Sequence, residues 1–306
     1  MKYFFIVNPV SGKDKKQKLI DSIRQQLRDT DADYHIQKTL APGDATKYVR
    51  AMCEKYSEPL RFIACGGDGT INEVANGLIG IEHASLGCIP CGTGNDFVKS
   101  LRELCPDEQI DFFDIKKQLT ELTYPIDLVK VNDRYGINVC NMGFDADIAE
   151  NMSLFRKMPF IKSESGAYNL SVVYTIFGKR GDNVRITVDD NEVIEQACLL
   201  TLIGNGRYYG GGYIPTPLAK IDDGYLDLCI VKNISLDKIA QIIGVYKKGE
   251  HLDHPKIKKF ITYRQFKKVK VEFKKPVNVC IDGEMETSNV VTFEVAPKLI
   301  RVALPY

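Results

Sequence analysis

The chain has 306 residues, 41 lysines and arginines against 40 aspartates and glutamates, and a hydrophobic share of 44%. The length predicts about two domains, the hydrophobic share is that of an ordinary globular chain, and the near cancellation of charge argues against nucleic acid as a partner. Nine cysteines, an odd number scattered through apolar runs, read as thiols of a reducing compartment and not as a disulfide frame.

The first apolar run, Tyr3 to Val7, stops at Asn8-Pro9, too soon for a signal peptide. No later run approaches the ~20 residues needed to span a bilayer, so the expectation is a cytoplasmic protein. From there to residue 125, short β-rich runs alternate with helical ones: strand 3–7, helix 14–28, strand 33–39, helix 43–56, strand 61–65, helix 70–78, strand 85–90 and helix 95–104. Such alternation predicts a doubly wound, Rossmann-like parallel sheet with helices on both faces.

Three strand ends in this half carry glycines. The first is Asn8-Pro9-Val10-Ser11-Gly12-Lys13, the second Gly66-Gly67-Asp68-Gly69-Thr70-Ile71-Asn72-Glu73, and the third Gly92-Thr93-Gly94-Asn95-Asp96. Glycine lets the backbone turn sharply and brings its N–H groups against a ligand, while a helix N-terminus adds partial positive charge suited to phosphate. Asp68 would repel a bare phosphate, so its place in the loop points to a carboxylate that meets Mg²⁺ on a nucleotide. Any one such turn can be a tight connection and nothing more. Three strand ends converging on one polar pocket match where open α/β sheets bind ligands. None is a P-loop, and none fits GxGxxG. Cys88 and Cys91 form a CxxC, but no second pair stands at metal-ligand spacing, so a redox or zinc role is not expected.

After Pro125 the texture changes. Ile126 to Val131, Tyr135 to Asn141, Val184 to Val188, Ala197 to Ile203 and Leu226 to Val231 are β-branched runs separated by turn signals such as Asp189-Asp190-Asn191 and Asp222-Asp223-Gly224. They predict a mostly antiparallel second domain over 126–290, interrupted by helices at Ser165 to Phe177 and Leu236 to Tyr246. The closing strands, Val290 to Glu294 and Leu299 to Leu304, either stay with it or return, as 291–306, to the first domain over 1–125. Chemistry is expected in the cleft between the two domains. Met152 to Ile161 and Tyr168 to Phe177 offer flexible apolar surface that suits acyl chains or a helix packed on its own core. Residues 247–275 hold eleven basic against three acidic side chains, which reads equally as a solvated face or as contact with anionic lipid.

In their order, these motifs resemble the diacylglycerol kinase catalytic family, in particular its bacterial soluble lipid kinases. The resemblance runs through the three glycine turns, Asn141-Met142-Gly143-Phe144-Asp145-Ala146, Gly210-Gly211-Gly212, Pro217 to Asp227 and Asp282-Gly283-Glu284. It implies an ATP-binding α/β domain followed by a β-sandwich-like lipid domain of the kind NAD kinases share. ATP is then expected at Asn8, Pro9, Ser11, Gly12, Lys13, Thr39, Gly66, Gly67, Asp68, Gly69, Thr70, Asn72, Glu73, Gly92, Thr93, Gly94, Asn95 and Asp96. Asp68, Asp96 and Asp127 match positions that organise Mg²⁺ and its waters. Lys220, Asp223 and Tyr225 match a second, structural Mg²⁺ site, the lysine and tyrosine through backbone carbonyls. Glu284 matches the general base; its plainer reading is a β-turn carboxylate, since Asp-Gly is a common hairpin signal.

The resemblance implies an ATP- and Mg²⁺-dependent transfer of a phosphoryl group to a lipid hydroxyl, with diacylglycerol giving phosphatidic acid. The partner is then a lipid at a membrane surface, reached from the cytoplasmic side, and a homodimer is compatible with it. Two alternatives stand beside this: an NAD kinase-like enzyme, since GGDGT is shared with that family, and a nucleotide-binding regulator without turnover.

Overall fold

The computed structural model describes residues 1–8, 13–92, 94–106, 108–143, 182–234 and 244–306. The chain divides into two compact units. The first comprises Met1–Leu128, Ile221–Gly224 and Ala296–Tyr306, the second Val129–Lys220 and Tyr225–Val295.

The first unit alternates β1 (Lys2–Val7), α1 (Lys13–Leu27), β2 (Asp33–Lys38), α2 (Asp44–Lys55), β3 (Leu60–Gly66), α3 (Asp68–Leu78), β4 (Ala84–Pro90) and α4 (Asp96–Arg102). β1 pairs in parallel with β2 on one side and β3 on the other, and β3 pairs with β4. Every residue of β3 is buried, as expected of a strand covered on both faces. The helices supply the cover: Val49 and Cys53 of α2, and Ile71, Val74 and Leu78 of α3, are buried. Arg61 is fully buried in β3, its guanidinium donating to Ser85 Oγ at 2.7 Å and to the carbonyls of Gln118 and Thr120 at 3.1 and 3.0 Å.

The second unit is antiparallel, as the turn signals predict. Its strands are the last part of β5 (Thr123–Val131), then β6 (Arg134–Gly136), β7 (Val139–Gly143), β8 (Asp182–Val188), β9 (Glu192–Gly204), β10 (Leu226–Lys232), β11 (Ile261–Phe266), β12 (Lys268–Ile281) and most of β13 (Glu284–Ala303). The pairing runs β11, β10, β9, β7, β12, β13, with β8 beside β9 and β12. Leu228, Val269, Val271, Val279, Val291 and Phe293 belong to one core cluster, and Leu202, Cys229, Tyr246 and Ile257 to another.

Three elements differ from expectation. The run Tyr135 to Asn141 is broken into β6 and β7, because the amides of Ile137 and Asn138 go to the carboxylate of Asp282 and not to a ladder. Val290 to Glu294 and Leu299 to Ala303 lie within one strand, β13, which passes through Lys298 at φ +51° and continues in the first unit, where Val302 registers with Leu86 in parallel; Leu304 falls just past its end. The lysine-rich stretch holds β11 and β12: Val269 and Val271 face the core, while Lys268 and Lys270 pair outward with Asp190 and Glu272. The expected helix 165–177 and the apolar run 152–161 lie outside the described residues, as does 236–243 of the other expected helix.

Candidate nucleotide site

β1 has β2 on one side and β3 on the other, so the connections after β1 and β3 leave in different directions and open a crevice at the carboxyl ends of those strands. That is the switch point at which open α/β sheets take ligands. Val7 registers with Cys65, which brings Asn8 beside the exit of β3. The amide of Asn8 donates to the Cys65 carbonyl at 3.3 Å, and its Nδ2 donates to Thr70 Oγ1 at 3.2 Å. Thr39, buried beyond β2, donates its N–H to the Val7 carbonyl at 3.1 Å. The first turn, the second turn and the end of β2 thus meet through backbone and short polar side chains.

The second and third glycine turns are in contact. Cys91 donates its N–H to the Gly66 carbonyl at 2.8 Å. Gly67 precedes α3, and a Cβ on it would lie 3.2 Å from the Gly92 Cα. Gly66 is obligatory for another reason: a Cβ there would fall 2.3 Å from Thr70 Oγ1. Asn95 closes the third turn, its Oδ1 accepting the Gly92 N–H at 3.0 Å and its Nδ2 donating to the Gly92 carbonyl at 2.8 Å. At φ +50° it holds the left-handed backbone that asparagine tolerates, and α4 starts immediately after it.

Two carboxylates border the space these turns leave. Asp68 accepts the N–H of Asp96 on Oδ2 at 3.2 Å and that of Phe97 on Oδ1 at 3.1 Å, capping α4 from the neighbouring turn. Asp96 is buried and bonds Lys99 Nζ at 2.6 Å. A Cβ on Gly94 would lie 3.2 Å from Asp68 Oδ2 and 3.4 Å from Asp96 Oδ2, so the glycine leaves a cradle with one oxygen of each acid on its border. Burial pushes the Asp68 carboxyl up, its two backbone bonds pull the other way, and Asp96 adds to the rise. Two adjacent acids, one partly desolvated, suit a hard divalent cation. Among the described residues no group of three or more His, Cys, Asp or Glu side chains is arranged to hold a metal. A cation at Asp68 and Asp96 would therefore complete its shell with phosphate and water oxygens, as Mg²⁺ does.

One cation was missed in the sequence. Lys16, in the first turns of α1, is only 6% exposed, and its buried Nζ has no hydrogen-bond partner among the described residues. Burial draws its ammonium down, with the nearby Cys91 thiol of the third turn acting in the opposite sense. A signal existed: Lys16 lies one helical turn beyond Lys13 on α1.

Other expected residues have different surroundings. Glu73 accepts the Ala45 N–H on Oε2 at 3.2 Å, and its carbonyl accepts Thr46 Oγ1 at 2.7 Å, so it serves the start of α2. Asn72 receives Asn76 Nδ2 on its carbonyl and Oδ1. Around Gly69 nothing lies within 4 Å of a built Cβ. Asp127 is fully buried, its carboxylate accepting the N–H of Gly224 and of Lys298, each at 2.7 Å, while its own N–H donates to the Ile221 carbonyl at 2.7 Å. That fastens the turn of the expected metal loop, where Asp223 is exposed and Gly224 is left-handed at φ +77°. Lys220 and Tyr225 flank it, both exposed, with Lys267 Nζ 5.3 Å from the Tyr225 ring centroid. Glu284 opens β13 in the second unit and is exposed. Pro9, Ser11, Gly12, Thr93 and the Lys13 side chain lie outside the described residues.

Two family models match the chain in consecutive stretches. A family model described as the diacylglycerol kinase catalytic domain matches residues 2–131. One described as the YegS C-terminal NAD kinase beta sandwich-like domain matches 138–304. The chain is 32% identical over 285 residues to a diacylglycerol kinase of Staphylococcus saprophyticus, covering 91% of this chain and 87% of the relative. It is 30% identical to that of Staphylococcus carnosus, with the same coverage. A solved diacylglycerol kinase structure from Bacillus anthracis aligns with TM-score 0.72 at 26% identity over 99% of this chain and 96% of that one.

Proposed function

The chain belongs to the diacylglycerol kinase family, a family of phosphotransferases, and on that premise we propose that it moves the γ-phosphoryl group of ATP to the hydroxyl of a lipid, diacylglycerol becoming phosphatidic acid. The observation that carries this reading is the cradle at Gly94, where Asp68 and Asp96 each offer an oxygen beside two touching glycine turns. Backbone amides at the start of α3 suit the phosphates, the acids suit the metal that phosphates bring, and Lys16 is a buried cation with no hydrogen-bond partner among the described residues. Bound Mg²⁺ would neutralise charge that spreads over the phosphoryl oxygens as the transfer proceeds.

The chain's own residues have three tasks. Asn8, Thr39 and Thr70 shape the crevice that receives the triphosphate, and the glycine turns let backbone approach it. Asp127 holds the 221–224 turn, whose Asp223 side chain and flanking Lys220 and Tyr225 carbonyls are proposed as a second, structural Mg²⁺ site. Glu284 is proposed as the proton acceptor. As the lipid oxygen bonds to phosphorus, the bond from phosphorus to the ADP oxygen breaks, and the hydroxyl proton passes to the Glu284 carboxylate. The lipid would be met at a membrane surface. Among the described residues no helix is long and apolar enough to cross a membrane.

The test is a screen of acceptor lipids in mixed micelles with Mg-ATP, read by mass spectrometry, run beside Glu284→Gln. The proposal expects phosphatidic acid from diacylglycerol, and a loss of ~10²-fold or more in the variant with ATP binding retained. Product in NAD with none in lipid would move the activity to the NAD kinase-like alternative, and ATP binding without any product would favour a regulator.

A further inference from the structure

Glu284 stands at the exit of a two-residue turn in which Asp282 at φ +48° and Gly283 at φ +93° are both left-handed, and Ile281 pairs with Glu284 across it. This is the type I′ geometry that an Asp-Gly pair favours. Two further features are not needed to close such a turn. First, the carboxylate of Asp282 accepts three consecutive backbone amides, those of Ile137 at 2.5 Å, Asn138 at 3.0 Å and Val139 at 3.1 Å. The turn is thereby fastened to the chain between β6 and β7. Second, Arg134 of β6 reaches the strand that leaves the turn: Nη2 bonds Glu284 Oε2, and Nη1 lies 3.3 Å from Glu286 Oε2.

Glu284 and Glu286, two apart on a strand, project to the same side, and the guanidinium fork bridges them. β6 is itself held in place, since Asn132 in the β5–β6 turn donates its N–H to the Thr292 carbonyl and accepts the Thr292 N–H on Oδ1, both at 3.1 Å. An ion pair this exposed contributes little to stability. What it supplies is direction. Glu284 Oε1 has no hydrogen-bond partner among the described residues, whereas Oε2 is taken by Arg134.

We propose that Arg134 is a positioning residue for Glu284: braced by Glu286 and by the Asp282 anchor, it pins Oε2 and leaves Oε1 as the atom that accepts the hydroxyl proton. The inference rests on Glu284 being that acceptor. Lysine in place of Arg134 could hold one carboxylate but not bridge both, and a neutral residue could hold neither.

The experiment is steady-state kinetics with Mg-ATP and diacylglycerol micelles for the full chain, Arg134→Ala, Arg134→Lys, Glu284→Gln and the double variant Arg134→Ala/Glu284→Gln. Arg134→Ala should lower kcat on the order of 10-fold with both KM values within about twofold, and Arg134→Lys should recover part of the loss. In the Glu284→Gln background the alanine should cost nothing more, because a residue acting through Glu284 has nothing left to act on. A kcat for Arg134→Ala within about twofold of the parent, or a full further loss in the double variant, overturns the inference while leaving Glu284 as the base. Unchanged turnover in Glu284→Gln overturns the base assignment itself, and the positioning role with it. Should Arg134→Ala not fold, Arg134→Lys paired with Glu284→Gln gives the same comparison. Amide exchange at Ile137, Asn138 and Val139 should rise in Asp282→Asn; unchanged protection there would remove the anchor.

Discussion

A Cβ on Gly92 would lie 2.5 Å from the Cα of Gly67, closer than real side-chain carbons approach, so the third glycine turn is seated on the second by backbone alone. The contact lies between main-chain atoms, which cannot swing aside as the end of a flexible side chain can.

Gly92→Ala should therefore push the two turns apart, with a destabilisation on the order of 1–3 kcal/mol, the usual scale for overpacking, and loss of ATP binding. Gly69→Ala is the matched control. Its built Cβ meets nothing and its position lies in the first turn of α3, so stability should hold or rise slightly. Urea unfolding and ATP titration calorimetry of the two variants separate folding from ligand approach. A fall in ATP affinity for Gly69→Ala at unchanged stability would mean that the phosphates pass over that backbone.

Asp68→Asn tests the acidic cradle. The carboxyl is pushed above its ordinary 3.8 by burial, so in the window between 3.8 and the folded value the native state holds a proton that the unfolded chain has lost. Stability attributable to this group therefore falls as pH rises through that window. The neutral variant should lack that slope, and its unfolding midpoint at neutral pH should stay close to the parent's. Phosphoryl transfer should drop by ~10²-fold or more, the scale for removing a positioned charge from a reacting centre.

The first unit was legible because each signal was local. Apolar runs of strand length ended at turn residues, Asn8 after β1 and Gly66 in β3, and α2, α3 and α4 began after Gly43, Gly67 and Asn95. The fate of individual polar side chains was not, since it depends on contacts far away in sequence. Arg61 opens an otherwise apolar strand, yet it is buried by carbonyls some 60 residues on, at Gln118 and Thr120. Glu73 sits in the glycine motif, yet it serves α2. The basic run after Lys247 announced its charge more loudly than its alternation, so β11 and the first half of β12 were missed while their outward lysines were counted. Asp282 had a local role, the turn, and a distant one, the three amides of 137–139; only the first could be read from Asp-Gly.

His251 gives a pH signature for the second unit. It is fully buried, with Nε2 3.9 Å from Cys229 Sγ and its ring against Tyr246, and burial draws its imidazole down to about 4 against a backbone bond to Pro215 that works the other way. Between that value and 6.5 the unfolded chain takes up a proton that the folded one refuses. The stability is fully present above 6.5 and is lost as pH falls toward about 4, by up to roughly 3 kcal/mol at the usual 1.36 kcal/mol per unit. His251→Gln should flatten this dependence in urea titrations at pH 4.5 and pH 7. An equal slope in parent and variant would assign the acid sensitivity to other groups.

Lys16 separates a structural cation from one that waits for a ligand. A buried ammonium without a hydrogen-bond partner costs stability in the absence of an anion, and its pKa is lowered by burial. In the window below its ordinary 10.5 the unfolded chain holds the proton more readily, so the ligand-free protein should gain stability as pH rises there. Lys16→Met keeps the length of the stem and removes the charge. If Lys16 pairs with a phosphate, the variant should be as stable as the parent or more so without ligand and should lose the alkaline gain. It should also bind ATP on the order of 10-fold or more weakly, the loss expected when one charge-assisted contact is removed. Thermal shift with and without Mg-ATP reads both effects at once. A variant less stable without ligand but equal in ATP affinity would make Lys16 a packing residue of α1 and not a partner of the phosphates.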